Sequence, residues 1–79
     1  MKVNTHYFGL IAEERGVNTE EMHLPEGASL AHIQDKAVEL IPGLKDSNYA
    51  IAVNQKMNTG NIDLKEGDEI AFFPPFAGG

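Results

Sequence analysis

Few side chains in this 79-residue chain can carry chemistry by themselves. Histidine occurs at His6, His23 and His32, adjacent carboxylates occur at Glu13-Glu14 and Glu20-Glu21, and cysteine is absent. Metal binding or acid–base catalysis needs such groups to converge in a pocket, and their spacing gives no such signature. They read as solvated surface charge, and no metal site is expected. The missing cysteine removes a disulfide framework, a thiolate site and a thiol nucleophile together. The glycines are scattered and form no phosphate-cradling loop, so no nucleotide cofactor is expected on this chain.

One stretch remains, Phe72-Phe73-Pro74-Pro75-Phe76-Ala77-Gly78-Gly79. Two prolines favour a stiff, extended backbone without internal hydrogen bonds. Ala77, Gly78 and Gly79 are almost bare of side chain, so the strip is thin enough to thread a narrow channel. At its tip is the α-carboxylate of Gly79. A carboxylate is a poor electrophile, but attack of its oxygen on the α-phosphate of ATP turns it into an acyl-adenylate with a good leaving group. Gly79 is therefore the candidate reacting residue, and Gly78 gives clearance. Terminal glycines alone are often nothing more than a frayed end. Placed behind a proline segment and an apolar strand, they are a stronger signal.

The elements that must hold this tail follow from period and punctuation. Residues 2–8 alternate, with Val3, Thr5 and Tyr7 on one face and Asn4, His6 and Phe8 on the other, which predicts a strand. Gly9 breaks it, and residues 10–15 form one or two helical turns ended by Gly16. Residues 17–24 predict a second strand with Met22 and Leu24 inward. After a turn at Pro25-Glu26-Gly27, Ser29 caps a helix over 29–41, in which Leu30, Ile33, Ala37 and Leu40 or Ile41 recur on one face. Pro42-Gly43 stops it. Residues 50–53 predict a strand with Ile51 and Val53 inward, Asn54-Gln55-Lys56 a turn, and Leu64 a lone apolar anchor. Gly67 sits in a turn before the last strand, Glu69–Phe73, with Ile70 and Phe72 on one face and Ala71 and Phe73 on the other. The order β, β, α, β, β with one main helix on one face of a mixed sheet is an α+β roll, its last strand central. The organisation is one folded domain, 1–73, and an extended tail, 74–79.

Length and charge bound the partners. One core fits in 79 residues. Twelve acids against six bases, with no basic cluster, disfavour nucleic acid, whose phosphates need cations. No stretch is long and apolar enough to span a bilayer, and the start shows no secretory apolar segment, so no membrane association and a cytoplasmic location are expected.

Tyr7-Phe8, Ala52-Val53-Asn54 and above all the run GDEIAFFPPFAGG from Gly67 to Gly79 give the chain a resemblance, over nearly its whole length, to a known family. It resembles the small, sulfur-carrying subunits of molybdopterin synthase (the MoaD type) among the MoaD/ThiS ubiquitin-like proteins. The Phe-Pro-Pro is usually missing from the shorter thiazole-synthesis carriers. The resemblance implies a β-grasp fold. It also implies that the Gly79 carboxylate is adenylated by an ATP-dependent activating enzyme, converted to a thiocarboxylate with sulfur from a donor system, and used to sulfurate cyclic pyranopterin monophosphate. The chain would then be a non-catalytic carrier that binds no cofactor, docked on the large catalytic subunit in a heterotetramer. The docking residues it implies are Phe8, Met57 and Phe73, with Pro74, Pro75 and Phe76 entering the partner. A carrier for thiazole, tungsten-cofactor or amino-acid synthesis, a ubiquitin-like modifier of lysines, and an interaction domain with an inert tail remain as alternatives.

Overall fold

Alternation builds the first strand, β1 (Lys2–Tyr7), in which Val3, Thr5 and Tyr7 are buried as their spacing demands. The structure, a computed structural model, describes residues 1–58 and 60–75. A short helix, α1 (Gly9–Arg15), follows and ends where Gly16 turns left-handed at φ 89°. Strand β2 (Thr19–His23) runs back antiparallel to β1, with Met22 opposite Val3.

The main helix, α2 (Leu30–Leu40), begins at Ser29 in a reciprocal capping box with His32 and buries Leu30, Ile33 and Ala37. Such a box satisfies backbone N–H groups that the first turn leaves without partners. Ile41, at its C-cap, is fully buried while Leu40 stays partly exposed, which settles the choice left by the periodicity. These residues join Val3, Leu24, Val53, Ile70 and Phe72 in a single core between helix and sheet. Strands β3 (Ala50–Val53), β4 (Lys56–Asn58) and β5 (Glu69–Phe73) complete a sheet of order β2-β1-β5-β3-β4. Only β1 and β5 pair in parallel, and β5 is central as expected.

The structure corrects three details. The turn at Asn54-Gln55-Lys56 is shorter than expected, because Asn54 and Gln55 both take positive φ (51° and 71°) in a two-residue hairpin loop. Lys56 then pairs with Val53 and opens the strand β4, which the sequence reading lacked. Pro42 does not simply end the helix. It starts a 3-10 turn, Pro42–Asp46, which buries Leu44 under the core. Strand β2 starts at Thr19 rather than at residue 17, and Val17 is exposed.

Candidate functional site

The face of the sheet opposite α2 is set by register. His6 on β1 lies opposite Ala71 on β5, Ala71 opposite Ala52 on β3, and Ala52 opposite Met57 on β4. Alternation sends this whole row outward. Two alanines between a histidine and a methionine make a trough. Phe73, two residues beyond Ala71, walls one side, and Glu69, two residues before it, walls the other. Phe8, just past β1, stacks on Phe73 with ring centroids 4.9 Å apart and planes 6° from parallel. The result is an open groove of about 420 Å³, to which Gln55 also contributes. Met57 is 65% exposed and Phe8 45%.

The polar wall is ordered. One Glu69 oxygen lies 2.6 Å from His6 Nε2, and the other accepts a 2.7 Å bond from the Asn4 amide. The Asn4 bond, followed by His6, holds the Glu69 carboxyl below the usual carboxylate range. The hairpin carrying Gln55 and Met57 is fixed to the same end of β5. Asn54 Nδ2 donates to Asp68 Oδ1 at 3.0 Å, Asn54 Oδ1 accepts from the Glu69 N–H at 3.0 Å, and buried Asp68 accepts from the Lys65 N–H at 2.7 Å.

The root of the tail is built by the crossing of two segments. The Phe8 N–H donates to the Phe72 carbonyl, and Gly9 follows at φ +57°. A Cβ on Gly9 would stand 2.9 Å from Cγ of Pro74, so the close approach requires glycine. Pro74 and Pro75 line a second apolar hollow with Leu10, Ile11 and Leu44, on the side of α1.

The structure thus brings Phe8, Met57 and Phe73 into one groove, while half-buried Pro74 and exposed Pro75, which follow Phe73, line the separate hollow beside α1. Phe76, Gly78 and Gly79 lie outside the described residues. The histidines do not converge. His6 and His23 sit at opposite ends of the β1–β2 pair, opposite Thr19 and Lys2 respectively, and His32 Nδ1 accepts the Ser29 N–H at 3.0 Å. Several groups read as solvated charge are engaged instead, among them His6 with Glu69, and Glu20 with Arg15, whose Nε lies 2.8 Å away. Period and spacing do not show these partnerships, because they depend on the parallel β1–β5 register and on how α1 lies beside β2. Glu69, Asn4 and Gly9 were likewise missed as site residues. The only signal in the sequence was the glycine between strand and helix. Among the described residues no cluster of metal-ligating side chains forms, and no helix is long and apolar enough to cross a membrane. Apolar floor, aromatic wall and a single charged wall give the groove the kind of lining found at protein contact surfaces.

Comparison with known proteins agrees with this geometry. The family model described as the ThiS family matches residues 5–79. The molybdopterin synthase sulfur carrier subunit of Mycobacterium tuberculosis is 34% identical over 82 residues, covering 100% of this chain and 99% of its own length. A Pyrococcus furiosus structure provisionally described as subunit 1 of a molybdopterin converting factor superposes with a TM-score of 0.87 at 29% identity, covering 96% of this chain and 99% of its own. A structure of the complex of subunits 1 and 2 of the Helicobacter pylori molybdopterin-converting factor gives 0.64 at 28% identity, with 100% of both chains covered. The fold is the ubiquitin-like β-grasp.

Proposed function

The chain belongs to the ThiS family, and on that premise we propose that it is the sulfur carrier subunit of a molybdopterin synthase. The observation that carries this reading is the groove of Phe8, Phe73 and Met57, in which Phe73 is the residue directly before Pro74. A docking surface placed there aims whatever follows the prolines into the partner that it grips. The relatives named as carrier subunits, and the Helicobacter pylori complex of two subunits, support a large catalytic subunit as that partner.

In this reading the partners supply the reaction centres and this chain supplies position. A Gly79 carboxylate oxygen attacks the α-phosphorus of ATP on an activating enzyme, and pyrophosphate leaves. Sulfide-level sulfur from a donor then attacks the acyl carbon and expels AMP, leaving a thiocarboxylate. The thin end of the tail enters the large subunit, where the thiocarboxylate sulfur bonds to a carbon of cyclic pyranopterin monophosphate and displaces an oxygen, and water then cleaves the acyl–sulfur bond to regenerate the carboxylate. Holding a reactant in register with its acceptor is itself a large part of such a rate enhancement.

The test has two readouts. Intact-mass spectrometry of the chain after incubation with ATP, an activating enzyme and a sulfur donor shows the gain of one sulfur for one oxygen at Gly79. Titration calorimetry with the large subunit shows binding that Phe73→Ala weakens by about 2 kcal/mol or more, the scale of an interface hot spot. An unchanged mass under those conditions contradicts the carrier reading, and unchanged affinity of Phe73→Ala contradicts the groove as its docking site.

A further inference from the structure

The groove has one charged wall, Glu69, whose side-chain partners there are His6 and Asn4. Among the residues lining it the polar ones are His6, Gln55 and Glu69, with no lysine or arginine. An ionised carboxylate offers about four acceptor positions. Asn4 and His6 each take one, on different oxygens, and the Glu69 side chain remains 46% exposed. Both bonds favour the ionised form and fix its direction. A partner that covers the apolar floor also strips water from this carboxylate, which is costly unless a charge is returned to it.

We propose that Glu69 is the ionic anchor of the docking groove, taking a lysine or arginine side chain of the large subunit beside the Phe8–Phe73 stack, and that His6 and Asn4 are positioning residues that hold its carboxylate toward that cation. The inference rests on the docking reading given above. The partner chemistry it calls for is an apolar side chain over the alanine floor, flanked by a cation. A net charge of −6 steers the approach of such a basic-rimmed surface. It assigns a specificity role as well, since a partner that lacks the cation would bury the carboxylate without compensation.

Affinity of the full chain for the large subunit, measured by calorimetry across a series of salt concentrations, tests this. Glu69→Gln keeps the size of the side chain and removes its charge. It is expected to weaken binding about tenfold at low salt and to flatten the salt dependence, since that charge pair is the part that ions screen. His6→Ala is expected to weaken binding less, and to add nothing when Glu69 is already Gln, because a positioning residue has no effect once its target is gone. Wild-type affinity and an unchanged salt slope in Glu69→Gln overturn the anchor. Equal losses from His6→Ala in both backgrounds overturn the positioning role. Phe73→Ala in the same series separates the two levels: if it and Glu69→Gln both bind like the wild type, the groove reading falls; if only Glu69→Gln does, the anchor alone falls.

Discussion

Gly9 and Pro74 meet where the first strand hands over to helix and the last strand hands over to tail. An alanine at position 9 faces two obstacles at once, a left-handed φ of 57° and a proline ring carbon 2.9 Å from its Cβ. We expect Gly9→Ala to cost about 1–2 kcal/mol in a urea titration from the backbone alone, and to lower sulfur transfer further by shifting the root of the tail. Wild-type stability and transfer would show that the crossing has slack. Tyr7 gives a second test at this scale. Burial is the main cause that pushes its phenol above the usual tyrosine range, with Glu20 adding to it, against the opposing contact with Thr5. An acid whose value is raised on folding favours the folded state below its unfolded value, and that contribution is lost as the pH rises through the raised one. Absorbance titration is expected to show one phenol ionising late, with an alkaline loss of stability that Tyr7→Phe lacks. An early, simple titration of both tyrosines would contradict this. At residue scale the sequence displayed types but not partnerships. Phe8 and Phe73 were legible as outward aromatics from alternation. The His6–Glu69 bond joins residues 63 positions apart and needed the parallel register to appear.

Elements with a long, clean period were legible, and those held by tertiary bonds were not. Strand β1, helix α2 and strand β5 each repeat an apolar set that faces the same core. Ile33 is wholly buried in it, and Ile33→Ala is expected to cost about 2–5 kcal/mol by calorimetric melting. Strand β4 has three residues and a single apolar side chain, which points away from the core, so no alternation announced it. What makes it a strand is the hairpin turn before it and the bonds of Asn54 to Asp68 and to the Glu69 N–H. Asn54→Ala removes both bonds and puts a less tolerant residue at positive φ. A loss of about 1–3 kcal/mol is expected, together with weaker binding to the large subunit, because Met57 rides on this hairpin. Full stability of that variant would show that β4 is held by pairing alone.

At the scale of the whole molecule, the division of labour is between a rigid sheet and the segment that leaves it. The central strand β5 carries Glu69, Ala71 and Phe73 to the groove on one face, and Ile70 and Phe72 to the core on the other. The five residues of β5 thus tie the groove to the folded body and lead into Pro74. This architecture gives the tail a fixed origin, so its reach is set by residue count. Removing Gly79 shortens that reach by one extended residue, about 3.3–3.6 Å, far beyond the misplacement that chemistry between positioned groups tolerates. The most direct measurement is single-turnover sulfur transfer to cyclic pyranopterin monophosphate by the large subunit, comparing the thiocarboxylated full chain with the chain lacking Gly79 taken through the same activation. The account predicts that the shortened chain folds and binds the large subunit with nearly wild-type affinity, yet transfers no sulfur. Full transfer without Gly79 would contradict the claim that this residue carries the sulfur.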